Sequence, residues 1–184
     1  LQETGEQSRQ NQYSDLHARC NLTTKWMLEA DQKFGYDISG SGYFSNDNFN
    51  ITYYQTQPKL NFQPNTSFRV SGLFTYADKV NAPTLGGGSS VQQTYGTELK
   101  YNVLNKGSLL ANFNYIHIAF SGESSSPLGF EMLQGLNAGN NYTWGVTYQC
   151  NISQNIQLNV SYTGRSSEGS NIVNTGSAQV RAFF

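Results

Sequence analysis

The sequence predicts an all-β protein, an antiparallel transmembrane β-barrel of about eight strands with short turns at one end and long loops at the other. Three observations predict this fold. Apolar and polar residues alternate with period two in segments about as long as a bilayer-crossing strand. The connections between these segments alternate between short and long. Only 12% of the residues are charged while 14% are aromatic, a composition that argues against a disordered chain.

The composition narrows the class of protein further. The chain has 184 residues, which suits one domain. Its polarity comes from Asn, Gln, Ser, Thr and Gly rather than from ionised groups, and a net charge of -1 gives no reason to expect a nucleic-acid partner. No run approaches 18 apolar residues, so the sequence contains no candidate membrane-spanning helix.

Four hairpins follow one another, each made of an alternating strand, a short turn and a second alternating strand. Residues 1–13 carry no pattern and are predicted to form a polar tail or linker, which leaves 14–184 for the barrel. The predicted strands are 14–22, 25–38, 48–62, 67–78, 93–104, 108–120, 141–152 and 156–165, with a possible ninth at 174–184. Pro64-Asn65 and Asn105-Lys106-Gly107 are turn formers, because proline fixes φ and Asn and Gly accept positive φ.

One strand breaks the alternation. In 108–120 the apolar residues change face between Tyr115 and Ile116, which predicts a β-bulge.

The connections between hairpins are long and rich in Gly and Ser. They are predicted at 39–47, 79–92, 121–140 and 166–173. Short periplasmic turns and long external loops are typical of transmembrane barrels. The apolar island at 126–139 within the longest loop allows two interpretations: a short helix packed over or into the barrel mouth, or a simple loop cluster.

The two faces of the predicted strands differ in chemistry. Aromatic residues recur toward the strand ends, as in the girdles of membrane barrels. The charged residues predicted to face the lumen are Arg19, Lys25, Glu29, Lys59, Arg69, Glu98, Lys100, Arg165 and Arg181. A Lys or Arg facing the bilayer midplane costs about 2–4 kcal/mol, so a membrane barrel requires this sorting. The alternative is a soluble ligand-binding β-barrel with its aromatic face turned inward.

No catalytic or metal-binding constellation is recognisable. His17 and His117 lie on different strands without a carboxylate at ligand spacing, and there is no nucleophile elbow or phosphate-binding glycine loop. We therefore expect neither an enzyme nor a cofactor.

Cys20 and Cys150 fall on strands that are not neighbours, so we expect two free thiols, buried or facing lipid, rather than a disulfide.

The C-terminal strand ends on an aromatic residue. Val180, Ala182 and Phe184 share one face, and such an ending resembles bacterial outer-membrane β-barrel proteins, in which the terminal aromatic strand is the signal read by the barrel-assembly machinery. The segments 133–144 (LQGLNAGNNYTW), 155–165 (NIQLNVSYTGR) and 175–184 (TGSAQVRAFF) resemble the C-termini of large Bacteroidota outer-membrane proteins, including cell-surface barrels associated with type IX secretion. The resemblance implies the C-terminal barrel portion of a longer protein located in the outer membrane.

Two functions are compatible with this fold. The first is an anchor, or a component of a secretion or assembly complex, whose partners would be outer-membrane lipid, the barrel-assembly machinery and other outer-membrane or periplasmic proteins. An eight-stranded barrel is filled by its own side chains and does not conduct. The second function, a porin or translocon wall with a conducting lumen, applies if the chain is a section of a wider barrel.

Overall fold

The fold is a single antiparallel sheet of nine strands in chain order. The computed structural model describes residues 7–42, 48–103 and 106–183. The strands are β1 (Gln7–Asn21), β2 (Trp26–Ser41), β3 (Phe49–Phe62), β4 (Phe68–Asn81), β5 (Ser89–Val103), β6 (Gly107–Ser121), β7 (Gly139–Asn151), β8 (Ile156–Ser167) and β9 (Val173–Ala182). One short helix, α1 (Pro127–Leu133), and a 3₁₀ turn at Pro83–Leu85 lie in the connections.

The prediction of an all-β antiparallel fold is confirmed, but the predicted closure is wrong, and the sheet has nine strands rather than eight because the possible ninth strand is present as β9. Among the described residues, β1 pairs only with β2 and β9 pairs only with β8, so the sheet has two free edges. The C-terminal segment adds a ninth strand on the edge of β8. Because neighbouring strands alternate in direction, an odd number leaves β1 and β9 running the same way, and the two edges cannot join each other in an antiparallel ladder.

Most strands are longer and the long loops shorter than predicted. We call the end of the sheet that carries the β1–β2, β3–β4, β5–β6 and β7–β8 connections the turn end, and the opposite end the loop end. At the loop end β1 begins at Gln7, inside the predicted tail, and β4 extends to Asn81. The residues gained are mostly polar, and they pair through backbone groups without a hydrophobic pattern that a sequence could reveal. The loop-end connections shrink to 42–48, 82–88, 122–138 and 168–172.

The β-bulge predicted in the sixth strand is also wrong. The β5–β6 register runs unbroken from Ser89 opposite Ser121 to Val103 opposite Gly107. Ile116, Ile118 and Phe120 lie on the face against which α1 packs. The apolar residues therefore change face because the neighbour changes, with no extra residue inserted.

The apolar island at 126–139 contains α1, so the first of its two interpretations, a short helix, is the correct one. The Ser126 hydroxyl accepts a hydrogen bond from the Gly129 amide at 2.9 Å, and a proline occupies the first turn, as is common at helix starts. The helix ends at Leu133, and the next residue, Gln134, has a left-handed φ of 55°. No helix in the described part of the chain is long and apolar enough to cross a membrane.

Both apolar clusters in the described part of the chain are small and lie around α1. They are Phe49 with Ile51 and Met132, and Ile116 with Ile118 and Leu133. Helix α1 therefore covers one face of the sheet at the loop end, while the rest of that face is mostly polar.

Candidate functional site: two faces of opposite chemistry

The register assigns every strand residue to one of two faces, because directly paired residues point to the same side and successive residues alternate. We call the face covered by α1 the inner face and the opposite one the outer face. Asn61 and Ser71 are directly paired on the inner face and are only 2% and 1% exposed. Phe113 and Val180, on the outer face, are 46% and 64% exposed. The polar side of the sheet is the more enclosed one, and the apolar side is open.

The charged residues of the strands are also divided between the two faces. Within the nine described strands, every Lys, Arg, Asp and Glu lies on the inner face except Asp78, which is outward near the loop end. The inner face holds these predicted residues: Arg19, Glu29, Lys59, Arg69, Glu98, Lys100, Arg165 and Arg181. The ninth, Lys25, lies in the β1–β2 turn immediately before β2. The structure thus places eight of these nine predicted residues on one face.

Sequence reasoning missed six further charged residues of the inner face. These are Arg9, Asp15, Asp31, Lys33, Asp37 and Lys79. Arg9 was missed because 1–13 was interpreted as a tail. Asp31, Lys33 and Asp37 follow Glu29 at even spacing, so the alternation that identified Glu29 could have found them.

Hydrogen bonds join the inner-face side chains across strands. Asn61 donates to the Glu29 carboxylate at 2.8 Å and accepts from the Ser71 hydroxyl at 2.6 Å, which links β2, β3 and β4. Lys59 on β3 and Glu98 on β5 form an ion pair of 2.5 Å over the intervening strand. These contacts satisfy polar groups that have been withdrawn from water, as buried polar groups require.

Helix α1 is held on the inner face by ionic contacts as well as by its apolar side. Arg9 of β1 pairs with Asp37 of β2 at 2.7 Å and with Glu131 of the helix at 2.9 Å. Lys79 of β4 donates to the carbonyl oxygens of Glu131 and Met132 at 3.4 and 3.3 Å. The helix therefore bridges β1 to β4 and leaves beneath it a cavity of about 240 Å³.

The outer face carries a continuous aromatic row across four strands. Ring centroids are separated by 5.0 Å for Phe74–Tyr95, 6.3 Å for Tyr95–Tyr115 and 5.4 Å for Tyr115–Tyr142. A second row, nearer the turn end, consists of Phe68, Tyr101 and Tyr148. On each of β4, β5 and β7 the two rows are six residues apart, about 20 Å along the strand.

The band between the two aromatic rows is free of charge on β4–β7. Its outer-face residues are Val70, Gly72, Thr97, Leu99, Ala111, Phe113, Trp144 and Val146. An uncharged apolar band flanked by aromatic rings is the surface that lipid-facing barrel walls present.

The remaining predicted residues take the following positions. Cys20 and Cys150 are free thiols on the outer face. Val180 and Ala182 lie on the outer face of β9, whereas Phe184 lies outside the described residues. His17 contacts Asp31 at 2.5 Å on the inner face. In the described ranges, no three His, Cys, Asp or Glu side chains are grouped so that they could hold a metal ion.

Comparison with known proteins adds little. No protein-family model matches the sequence, and no curated protein matches it. Among solved structures, the chain is similar to the translocator domain of the autotransporter NalP from Neisseria meningitidis, with a TM-score of 0.48 and 12% identity over 98% of this chain and 68% of that one. Nothing about the function of this chain follows from a likeness at that level.

Proposed function

We propose that this chain is a non-enzymatic wall of a bacterial outer-membrane β-barrel, with its outer face against lipid and its inner face lining the lumen. The observation that carries the proposal is the sorting of strand charge, with every charged strand residue except Asp78 on the inner face. A Lys or Arg facing the bilayer midplane costs about 2–4 kcal/mol and an Asp or Glu somewhat less, so a membrane wall must keep charge off its lipid side.

A soluble ligand-binding barrel would have the opposite arrangement. Its apolar and aromatic residues would turn inward, away from water, and its charges would turn outward. Here Phe34, Phe113 and Tyr95 are 48%, 46% and 52% exposed on the outer face, while Asn61 and Ser71 are buried on the inner one. Exposed apolar surface of this extent on a soluble monomer would mark an interaction surface, and lipid is the partner that matches an uncharged band between aromatic rows.

The role proposed for this wall is that of an anchor or a component of a secretion or assembly complex. Helix α1 supports this role, because it covers the inner face at the loop end and is fixed there by Arg9 and Lys79. A covered lumen suits an anchoring or gated component better than an open diffusion pore. The Bacteroidota origin, the type IX association and assembly through a C-terminal aromatic signal belong to this proposal and come from the sequence resemblance.

The second candidate is the wall of a wider, conducting barrel. It is favoured by the two free edges, β1 and β9, since unpaired backbone groups cost several kcal/mol each in hydrocarbon. Since both edge strands run from the loop end to the turn end, all-antiparallel closure requires an odd number of additional strands. Such a barrel would be wide enough for the inner-face charges to line a pore.

The test of membrane residence is detergent dependence. The chain is refolded with and without micelles, and its migration on a cold SDS gel is compared before and after boiling. We expect heat-modifiable migration only with micelles, because the outer face needs an apolar phase to remain solvated. A monodisperse β-protein in plain buffer would refute the proposal. Conductance measured in liposomes then separates the anchor from the pore wall.

A further inference from the structure

Two cationic side chains, Arg69 and Lys100, face each other on the inner face at the turn end, and neither has an acidic partner among the described residues. Arg69 of β4 and Lys100 of β5 are directly opposite each other in the ladder. Like charges directly opposite destabilise a sheet. Neither side chain has a hydrogen bond or an ion pair within the part of the chain that the structure describes.

The nearest carboxylate does not neutralise the pair. Glu98 is diagonal to Arg69 in the β4–β5 ladder, but it is bound to Lys59 at 2.5 Å. The other carboxylate in this half of the face, Glu29, lies directly opposite Arg19 in the β1–β2 ladder and accepts a hydrogen bond from Asn61. Arg69 and Lys100 therefore keep their positive charge unmatched.

Two adjoining concavities extend this charge into a larger surface. A small one of about 100 Å³ is lined by Arg69 and Lys100, and an open one of about 630 Å³ is lined by Arg19 and Lys25. Gln63 and Thr66 line both concavities and connect them. We call these six residues, Arg19, Lys25, Gln63, Thr66, Arg69 and Lys100, the cationic patch.

We propose that the cationic patch is a binding site for a phosphate-bearing anion. The guanidinium of Arg69 presents a planar fork of donors that matches phosphate oxygens, and the Lys100 ammonium adds a point charge on the same group. The smaller concavity has room for one phosphate group. Arg19 and Lys25 line the larger concavity, which a second anionic group of the same ligand would reach. The bound anion would relieve the repulsion between Arg69 and Lys100.

The probe for this site is inorganic pyrophosphate, added to the refolded full chain in an isothermal titration at constant ionic strength. We expect wild type to bind pyrophosphate, and R69Q to bind it about tenfold or more weakly, as expected for loss of charged hydrogen bonds. The matched control is R165Q, which removes an inner-face arginine outside the patch. Its affinity should stay within about twofold of wild type.

The stability of the variants gives an independent readout. In anion-free buffer, K100Q should melt at the same temperature as wild type or higher, because the repulsion is removed. Pyrophosphate should raise the melting temperature of wild type and leave that of R69Q unchanged. The proposal is overturned if wild type does not bind, if R165Q weakens binding as much as R69Q does, or if K100Q melts lower without anion. It stands whether or not the outer face meets lipid, because neither readout depends on membrane residence.

Discussion

In this sheet many polar residues are buried and many aromatic residues are exposed, the reverse of the usual pattern in soluble proteins. Asn61, Ser71 and Asn141 are among the most enclosed side chains, while Phe34 and Tyr95 are about half exposed. The buried amides and hydroxyls are tolerable because they are hydrogen-bonded, as in the Glu29–Asn61–Ser71 chain. The exposed rings fit the proposed contact with lipid, because an apolar neighbour would remove them from water. The stability of the folded chain should therefore depend on which face a substitution alters.

Neighbouring residues of β7 test this dependence directly. Val146 is on the outer face and 41% exposed, whereas Thr147 lines an inner-face concavity of about 510 Å³. We expect Val146→Lys to lower the free energy of unfolding in micelles by about 2–4 kcal/mol, because the ammonium would enter the apolar phase. Thr147→Lys should change it by less than about 1 kcal/mol, since the concavity can solvate the charge. Urea titration followed by circular dichroism measures both, and equal losses would count against the assignment of faces.

Two outer-face glycines should respond oppositely to the same substitution. The Trp144 ring covers Gly164, so a Cβ added at Gly164 would clash with the ring. A Cβ added at Gly72 would meet nothing within 4 Å. We expect Gly164→Ala to displace the ring and cost about 1–3 kcal/mol, and Gly72→Ala to be neutral or stabilising by up to about 1 kcal/mol. Near-ultraviolet circular dichroism should change only for Gly164→Ala; an unaltered signal in that variant would show that Trp144 lies elsewhere.

Within the part of the chain that the structure describes, both apolar clusters of the inner face include residues of α1. The buried side of the helix, with Met132 and Leu133, packs on Phe49, Ile51, Ile116 and Ile118 of β3 and β6. The sequence indicated an apolar island here but could not locate the surface that receives it. That surface is formed by residues distant in sequence, and the phase change at Ile116 was consequently taken for a bulge. Strands were easier to predict, because alternation is a local property of the chain.

Substitutions on opposite sides of α1 measure how firmly it is docked. Met132 is fully buried, while Phe130 on the same helix is 68% exposed. We expect Met132→Ala to lower the free energy of helix docking by about 2–5 kcal/mol, the usual cost of a cavity in an apolar contact. Phe130→Ala should change it by no more than about 0.5 kcal/mol. Hydrogen exchange of the backbone amide of residue 130, which donates to the Ser126 carbonyl, reports the docking in both variants. Similar exchange rates in both variants would mean that the helix is not packed on the sheet.

At the scale of the whole molecule, local patterns and long-range pairing differ in how well the sequence predicts them. The sequence predicts the positions of the nine strands and the face on which eight of the nine predicted charges lie, because period-two alternation determines both. Closure of the sheet could not be predicted from the sequence, because the pairing of β1 and β9 depends on strands at opposite ends of the sheet. The lengths of the long loops were also missed, because the polar ends of strands such as β1 pair without a hydrophobic signal.

The contact between the outer face and lipid is the central claim, and tryptophan fluorescence tests it most directly. The chain has two tryptophans, Trp26 and Trp144. Both lie on the outer face, the first at the start of β2 and the second between the two aromatic rows. The chain is refolded into vesicles whose lipids carry bromine in mid-chain, with unbrominated vesicles as the control. Trp26→Phe and Trp144→Phe variants separate the two signals.

We expect bromolipid to quench both tryptophans, Trp144 more strongly than Trp26, and aqueous iodide to quench Trp144 little. That result would place the apolar band in the hydrocarbon region. Fluorescence that iodide quenches and bromolipid does not would contradict the membrane assignment, and the outer face would then have to be covered by protein instead of lipid.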